Sequence, residues 1–131
     1  YAFIIEPEIP ARAPYLNSQL NDPLFNALEY VHRLSSTNGA MATLSSDGKF
    51  RAVIAKRDPG VPNWLDTGDY GEGVIQGRWT HCSEQPIPII RKVAFDEIAD
   101  SLPADVARVT PEERDQILRA RRQAMQQRPH W

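Results

Sequence analysis

Ala42-Thr43-Leu44-Ser45-Ser46-Asp47-Gly48-Lys49-Phe50-Arg51-Ala52-Val53-Ile54-Ala55 is the stretch that decides the fold class. Two extended segments flank Asp47-Gly48, and glycine takes up positive φ without steric cost, so the stretch predicts a β-hairpin. Upstream, 1–8 and 15–21 read as short strands. Pro7, Pro10 and Pro14 cannot donate to a ladder, which predicts an edge strand followed by a crossing loop. The stretch 22–34 mixes helical and irregular apolar spacing and is assigned as a compact connection. Downstream, a long loop over about 57–71 leads into strand candidates at 73–82 and 87–95. No strand-helix-strand alternation is visible, so the expected class is mainly β: an antiparallel β-sandwich, jelly-roll-like, with a C-terminal α-helix.

The pattern changes after Phe95. Asp96 is placed to cap a short helix over about 96–102, which Pro103 stops. Thr110-Pro111-Glu112-Glu113 combines an N-cap threonine, proline at the first helical position and glutamate at the third, predicting a helix over about 111–127. Its expected apolar stripe is Ile117, Leu118, Ala120, Ala124 and Met125. Arg119, Arg121, Arg122 and Arg128 read as a solvated face that suits the helix dipole.

Composition narrows the function classes. The 131 residues, 41% of them apolar, suit one ordinary globular domain spanning 1–131. Cys82 is the single cysteine, which excludes an intrachain disulfide and any multi-cysteine zinc site. No apolar run approaches the ~18–20 residues of a membrane span. A net charge of −2 gives no global reason to bind nucleic acid or an anionic membrane, so neither partner is expected. The chain starts at Tyr1 inside a strand, without Met or a signal segment, and so reads as the C-terminal part of a longer protein, with a cytoplasmic location expected.

Several motif-like features have stronger structural readings. The glycines at 68, 71 and 73 precede a strand rather than a helix and lack the spacing of a phosphate loop. His32, His81 and His130 have no partner at ligand spacing, so no metal and no cofactor is expected. Cys82 beside His81 on one strand would point to the opposite face, which separates thiol from base. The loop Arg57-Asp58-Pro59-Gly60-Val61-Pro62-Asn63-Trp64-Leu65-Asp66-Thr67-Gly68 is different, because loops this long in compact domains are usually functional or disordered. Its aspartates could equally cap turns, Asn63 could bond backbone, and Trp64 could plug one end of a sandwich.

The same loop resembles the bacterial domain of unknown function 1214 family, whose members carry much the same R-D-P-G-x-x-N-W-L-D-T run. The resemblance extends over nearly the whole chain. Ahead of the loop it takes in Tyr15-Leu16-Asn17-Ser18-Gln19-Leu20, Glu29-Tyr30 and the 47–55 segment; behind it, Glu72-Gly73, Gly77-Arg78-Trp79, Leu102-Pro103 and Thr110-Pro111-Glu112-Glu113-Arg114. It implies a β-sandwich domain, commonly the C-terminal part of a longer protein, and implies no reaction. Thr67-Gly68-Asp69-Tyr70 stands where relatives have T-A-G-H, and Leu16 where they often have Trp. If that histidine is an acid-base group in relatives, this chain lacks it unless Tyr70 or His81 substitutes.

Two functional expectations follow. One is a noncatalytic module that packs against, or completes a small-molecule pocket with, an N-terminal region of the same protein. The alternative is an enzyme or binding protein for a polar small molecule, with the 57–70 loop at its mouth. There Asp66 would act as base or orienter, Arg57 and Arg78 would hold an anionic group, Asn63 would supply a directed hydrogen bond and Trp64 an apolar wall.

Overall fold

The structure, a computed structural model, describes residues 1–128 and builds seven strands into two sheets. In the four-stranded sheet, β5 (Trp64–Asp66), β4 (Ala52–Ala55), β1 (Ala2–Glu6) and β7 (Ile89–Val93) lie side by side in that order. The three-stranded sheet runs β3 (Ser36–Asn38), β2 (Tyr15–Asn21), β6 (Val74–Thr80). One α-helix, α1 (Pro111–Gln126), follows at the C-terminal end. The class is the expected one: mainly β, two sheets, one terminal helix.

Strand periodicity explains why two layers form. Successive side chains alternate faces, so Ala2 and Ile4 point one way from β1, Phe3 and Ile5 the other. Ala2 and Ile4 join Val53, Ala55, Val61 and Ile98 in a buried cluster beneath the 95–106 segment. Ile5 joins Phe50, Ala52 and Leu65 with Leu20 of β2, and half-buried Ile75 of β6 packs against them. This second cluster holds the sheets face to face. β1 is thus apolar on both sides, and it is central rather than an edge strand. The prolines at 7, 10 and 14 fall beyond its last residue, in the crossing to β2, where the lost donors cost no ladder bond.

Four of the five ladders are antiparallel, and β4–β5 is parallel, with Val53 opposite Trp64 and Ala55 opposite Asp66. The long loop therefore contains a strand. Its backbone would otherwise bury unpaired polar groups, and pairing Trp64–Asp66 with β4 satisfies them. The turn at Asp47-Gly48 forms as expected, with Gly48 at φ 78° and a Leu44–Phe50 bridge, yet its first arm is no strand. The Asn63 amide takes that place: Oδ1 accepts from Thr43 N (2.8 Å) and Nδ2 donates to Thr43 O (2.6 Å), imitating a neighbouring peptide group.

The short helix expected over 96–102 is instead two 3-10 turns, Phe95–Glu97 and Ala99–Ser101. Asp96 caps neither. Ala94 holds the N-cap position with extended backbone, and the tight winding presents Phe95 and Ile98 to the same cluster. By contrast, the capping box forms fully: Glu113 N donates to Thr110 Oγ1 (3.2 Å) and Thr110 N to Glu113 Oε2 (2.9 Å).

Arg51 ties the 47–50 turn to β1. Its guanidinium donates to both Asp47 oxygens (3.1 and 2.8 Å) and to Glu6 Oε1 (2.6 Å). The Arg51 hydrogen bonds, then the Lys49 N–H, hold the Asp47 carboxyl down at about 2, against an ordinary 3.8. Because the folded value is the lower one, this contribution to stability is complete above the unfolded pKa and is lost as pH falls through about 2. Carboxyl NMR titration is expected to give that midpoint for Asp47. A value near 3.8 would show that the turn is not clamped.

Candidate functional site

The polar side chains of the 57–68 loop are committed to the fold. Asp58 accepts from Gly60 N (2.8 Å) and takes a two-pronged contact from Arg114 of α1 (2.8 and 3.1 Å). Gly60 exchanges a bond with the chain just before the helix, Val109 N donating to its carbonyl (2.9 Å). Asn63, left-handed at φ 58°, also donates to Arg51 O (2.9 Å). Asparagine tolerates that backbone region as few residues do, and its amide is then fully used. Trp64 Nε1 donates to Ala55 O (2.9 Å), and its ring lies 5.3 Å from the Arg114 guanidinium. Asp66 is buried, accepting from Gly68 N (2.7 Å) and Arg33 (3.2 Å).

The other sequence candidates lie apart. Arg57 stacks on Phe95, 4.1 Å from the ring centroid. Arg78 is exposed on β6, in the other sheet from Trp64 and Asp66. His81 follows the end of β6 with φ 55°, so the strand alternation assumed for His81 and Cys82 does not apply there. Cys82 is half-buried with its thiol on Tyr15 O (3.3 Å). His130 lies outside the described residues. Arg57, Asn63, Trp64, Asp66 and Arg78 thus do not converge on one pocket. Asn63 lines a space of about 150 Å³ between the 43–46 turn and the 102–107 segment.

The larger opening lies between the sheets, a cleft of about 400 Å³. Phe3, Ile54 and Ile90 wall it from one sheet; Leu20, Val74 and Ile75 from the other. Tyr1, Lys56, Thr67, Tyr70 and Glu72 stand around it, and Tyr70 is the one sequence candidate that reaches it. Apolar side chains remain uncovered at its mouth, Phe3 40% and Ile90 48% exposed. Such a concave apolar space with few polar groups has the character of a small-molecule site, and its volume falls within the usual range of about 300–1,000 Å³.

β2 also carries a buried polar group. Asn21 ends β2 and is 3% exposed; its Nδ2 donates to Gln76 Oε1 (3.3 Å), while its Oδ1 is buried without a hydrogen-bond partner. Buried polar atoms nearly always have partners; Asn17 Oδ1 on the same strand is in the same condition, and the bond to Gln76 sets the Asn21 amide on the face of β2 opposite Leu20 and Ile75. The residue is also rigidly placed. It pairs with Val74 across the sheet and bridges to Ala27, and Gly73 approaches so closely that a Cβ there would collide with the Asn21 carbonyl oxygen. No motif marks Asn21 or the apolar walls. The available signal was the alternation in 2–5, where a strand apolar on both faces needs cover on both, and Phe3 is only partly covered.

Among the described residues, no three His, Cys, Asp or Glu side chains gather at metal-binding range, and no helix is long and apolar enough to cross a membrane. No family model matches the chain, and no curated protein does. The chain is similar to the crystal structure of an uncharacterized protein from Burkholderia cenocepacia, with a TM-score of 0.70 and 29% identity. The match covers 74% of this chain and 27% of that one, so the chain spans about a quarter of the length of this bacterial protein. The likeness therefore identifies the chain as a β-rich domain of a kind found within a larger bacterial protein.

Proposed function

We propose that this chain is a noncatalytic β-sandwich module whose inter-sheet cleft binds an apolar small molecule, and that another region of a longer protein completes the pocket. The observation that carries the reading is the cleft itself: about 400 Å³, apolar on both walls, with Phe3 and Ile90 left partly uncovered at its mouth. The bonds made by Asp58, Asn63, Trp64 and Asp66 support a structural role for the 57–67 loop, since a base or ligand-orienting group needs free capacity. Membership of the domain of unknown function 1214 family and a jelly-roll relationship belong to the same proposal. They rest on the eleven-residue run at 57–67 and on the two-layer arrangement. The length of the Burkholderia cenocepacia protein supports the completing region.

A thermal-shift screen of small aryl and alkyl compounds, sugars, carboxylic acids, nucleotides and divalent metals tests the proposal. A ligand at 100 times its Kd stabilises by about 2.7 kcal/mol. Aryl and alkyl compounds are expected to raise Tm, and Ile90→Trp, which narrows the cleft from the edge of its sheet, is expected to abolish the rise. Hits among sugars or carboxylic acids that vanish in Asp66→Asn would overturn the reading in favour of a polar site at the 57–70 loop.

A further inference from the structure

We infer that the cleft takes an anionic amphiphile, an alkyl chain with a carboxylate head, and that the ligand lies in one direction: chain between the sheets, head beside Lys56. The inference rests on reading the cleft as a small-molecule pocket and names the class of ligand it accepts. The walls set the chain, because Phe3 and Ile54 of one sheet and Leu20 and Ile75 of the other offer only apolar contact over a space of about 400 Å³.

The direction comes from where the polar groups lie. Phe3 pairs with Ile54 on one side and Lys92 on the other, so continuing the register sets Tyr1 level with Lys56, one residue past β4. Ala55 pairs with Asp66 and accepts from Thr67 N (3.4 Å), which brings Thr67 to the same end. Tyr70 and Glu72 follow in the connection from Thr67 to β6 and line the cleft there. Apart from Asn21, whose amide faces away, these five residues are the polar side chains of the cleft. Ile90 pairs with Ile5, four strand positions beyond Tyr1. That is about 13 Å of wall, room for an eight-carbon chain laid from Lys56 past Phe3 and Ile54.

Charge gives the sign of the head. Lys56 is exposed and, among the described residues, makes no ion pair. Lys92 shares the face of Phe3 and holds its ammonium 4.2 Å from the Tyr1 ring centroid, so a second positive charge stands beside the same end. Glu72 is the one carboxylate lining the cleft, and it enters from the side of the other sheet. A carboxylate head beside Lys56 therefore meets two ammonium groups against one carboxylate, and an ammonium head meets the reverse. Exposed ion pairs each contribute little, so the chain supplies most of the affinity while Lys56 supplies orientation and selectivity for charge.

Hexanoate, octanoate, octylamine and octan-1-ol test this by NMR titration at low salt, where exposed charges are least screened. Octanoate is expected to bind about tenfold or more tightly than hexanoate, since each buried methylene is worth about fourfold, and about threefold more tightly than octylamine. The Ile54 and Ile75 methyl resonances are expected to move with every octyl probe, and the Thr67 and Tyr70 amides with octanoate. Lys56→Gln, an exposed change that leaves the walls intact, is expected to weaken octanoate about threefold and leave octan-1-ol unchanged. Glu72→Gln is expected to strengthen octanoate. Octylamine binding as tightly as octanoate, or octanoate affinity unaltered in Lys56→Gln, would overturn the inference, while binding of octan-1-ol would still uphold the cleft as a site. Failure of every octyl probe to bind would overturn both.

Discussion

Asp58→Ala is expected to destabilise the protein by about 3 kcal/mol, because it leaves the buried Arg114 guanidinium without its counter-charge. Arg114 is 5% exposed although it sits one turn into the last helix, and its fork engages both Asp58 oxygens while Nη2 also donates to Val61 O (2.6 Å). A carboxylate matched to a guanidinium fork is among the stronger polar contacts a protein makes. Removing one partner costs more than the pair contributes, since the desolvated charge that remains has nothing to offset it. Asp58 is partly open to water, with its side chain 32% exposed, which holds the expected loss near the lower end of the range for buried pairs. Asp58→Ala with Arg114→Met should recover part of the loss by removing the stranded charge as well. Urea denaturation followed by circular dichroism measures both variants. A loss below about 0.5 kcal/mol for Asp58→Ala would show that Arg114 is solvated and that this pair does not hold loop to helix.

The same pair shows why a loop that looks like a site serves as scaffold. Long-range partners are invisible in a local reading of 57–67: Arg114 lies 56 residues from Asp58, Thr43 lies 20 from Asn63, and Arg33 lies 33 from Asp66. Residue types that suit a catalytic loop also suit a loop that must satisfy its own buried polar groups, and only the partners tell the two apart. Features governed by local chemistry were readable. The capping box at Thr110, the positive φ at Gly48 and the apolar alternation of β1 follow from steric and hydrogen-bonding rules that act over a few residues. The parallel β4–β5 ladder was not readable, because a three-residue strand carries too little periodicity to separate it from a turn. The cleft was hidden for a different reason. Its walls come from residues 3, 20, 54, 75 and 90, each an ordinary apolar position in its own strand, and only the spacing of two sheets makes them a pocket.

Arg121→Ala is expected to cost about 3–4 kcal/mol, through unsatisfied carbonyls and a cavity where the stem lay. By periodicity the helix would dock through Ile117, Leu118, Ala120, Ala124 and Met125 and leave Arg119, Arg121, Arg122 and Arg128 in water; of that stripe Leu118 and Met125 are half-buried and the rest exposed. Instead its two buried residues are Arg114 and Arg121, seven apart on one face, while Ile117 is 40% exposed. Arg121 donates to Tyr30 O (2.6 Å), Ser36 O (3.1 Å) and Ser36 Oγ (2.6 Å), all neutral acceptors belonging to β3 and the connection before it. Burial pushes its pKa down, and the charge of Glu29 partly restores it; a guanidinium stays protonated regardless. Arg121→Met separates the two contributions, since methionine keeps an apolar stem but donates nothing, and about 2 kcal/mol of the loss is expected to remain. Arg121→Lys should not restore stability, because three donors on a point charge cannot reproduce a planar fork that reaches two residues at once. Arg114 and Arg121 fasten the same rigid helix at two points. Once either is released, the other holds a helix already partly undocked, so Asp58→Ala combined with Arg121→Ala is expected to cost less than the sum of the two. Strict additivity in that double-mutant cycle would mean that the two ends of the helix are held independently, and that the loop at 57–67 has no part in positioning β3.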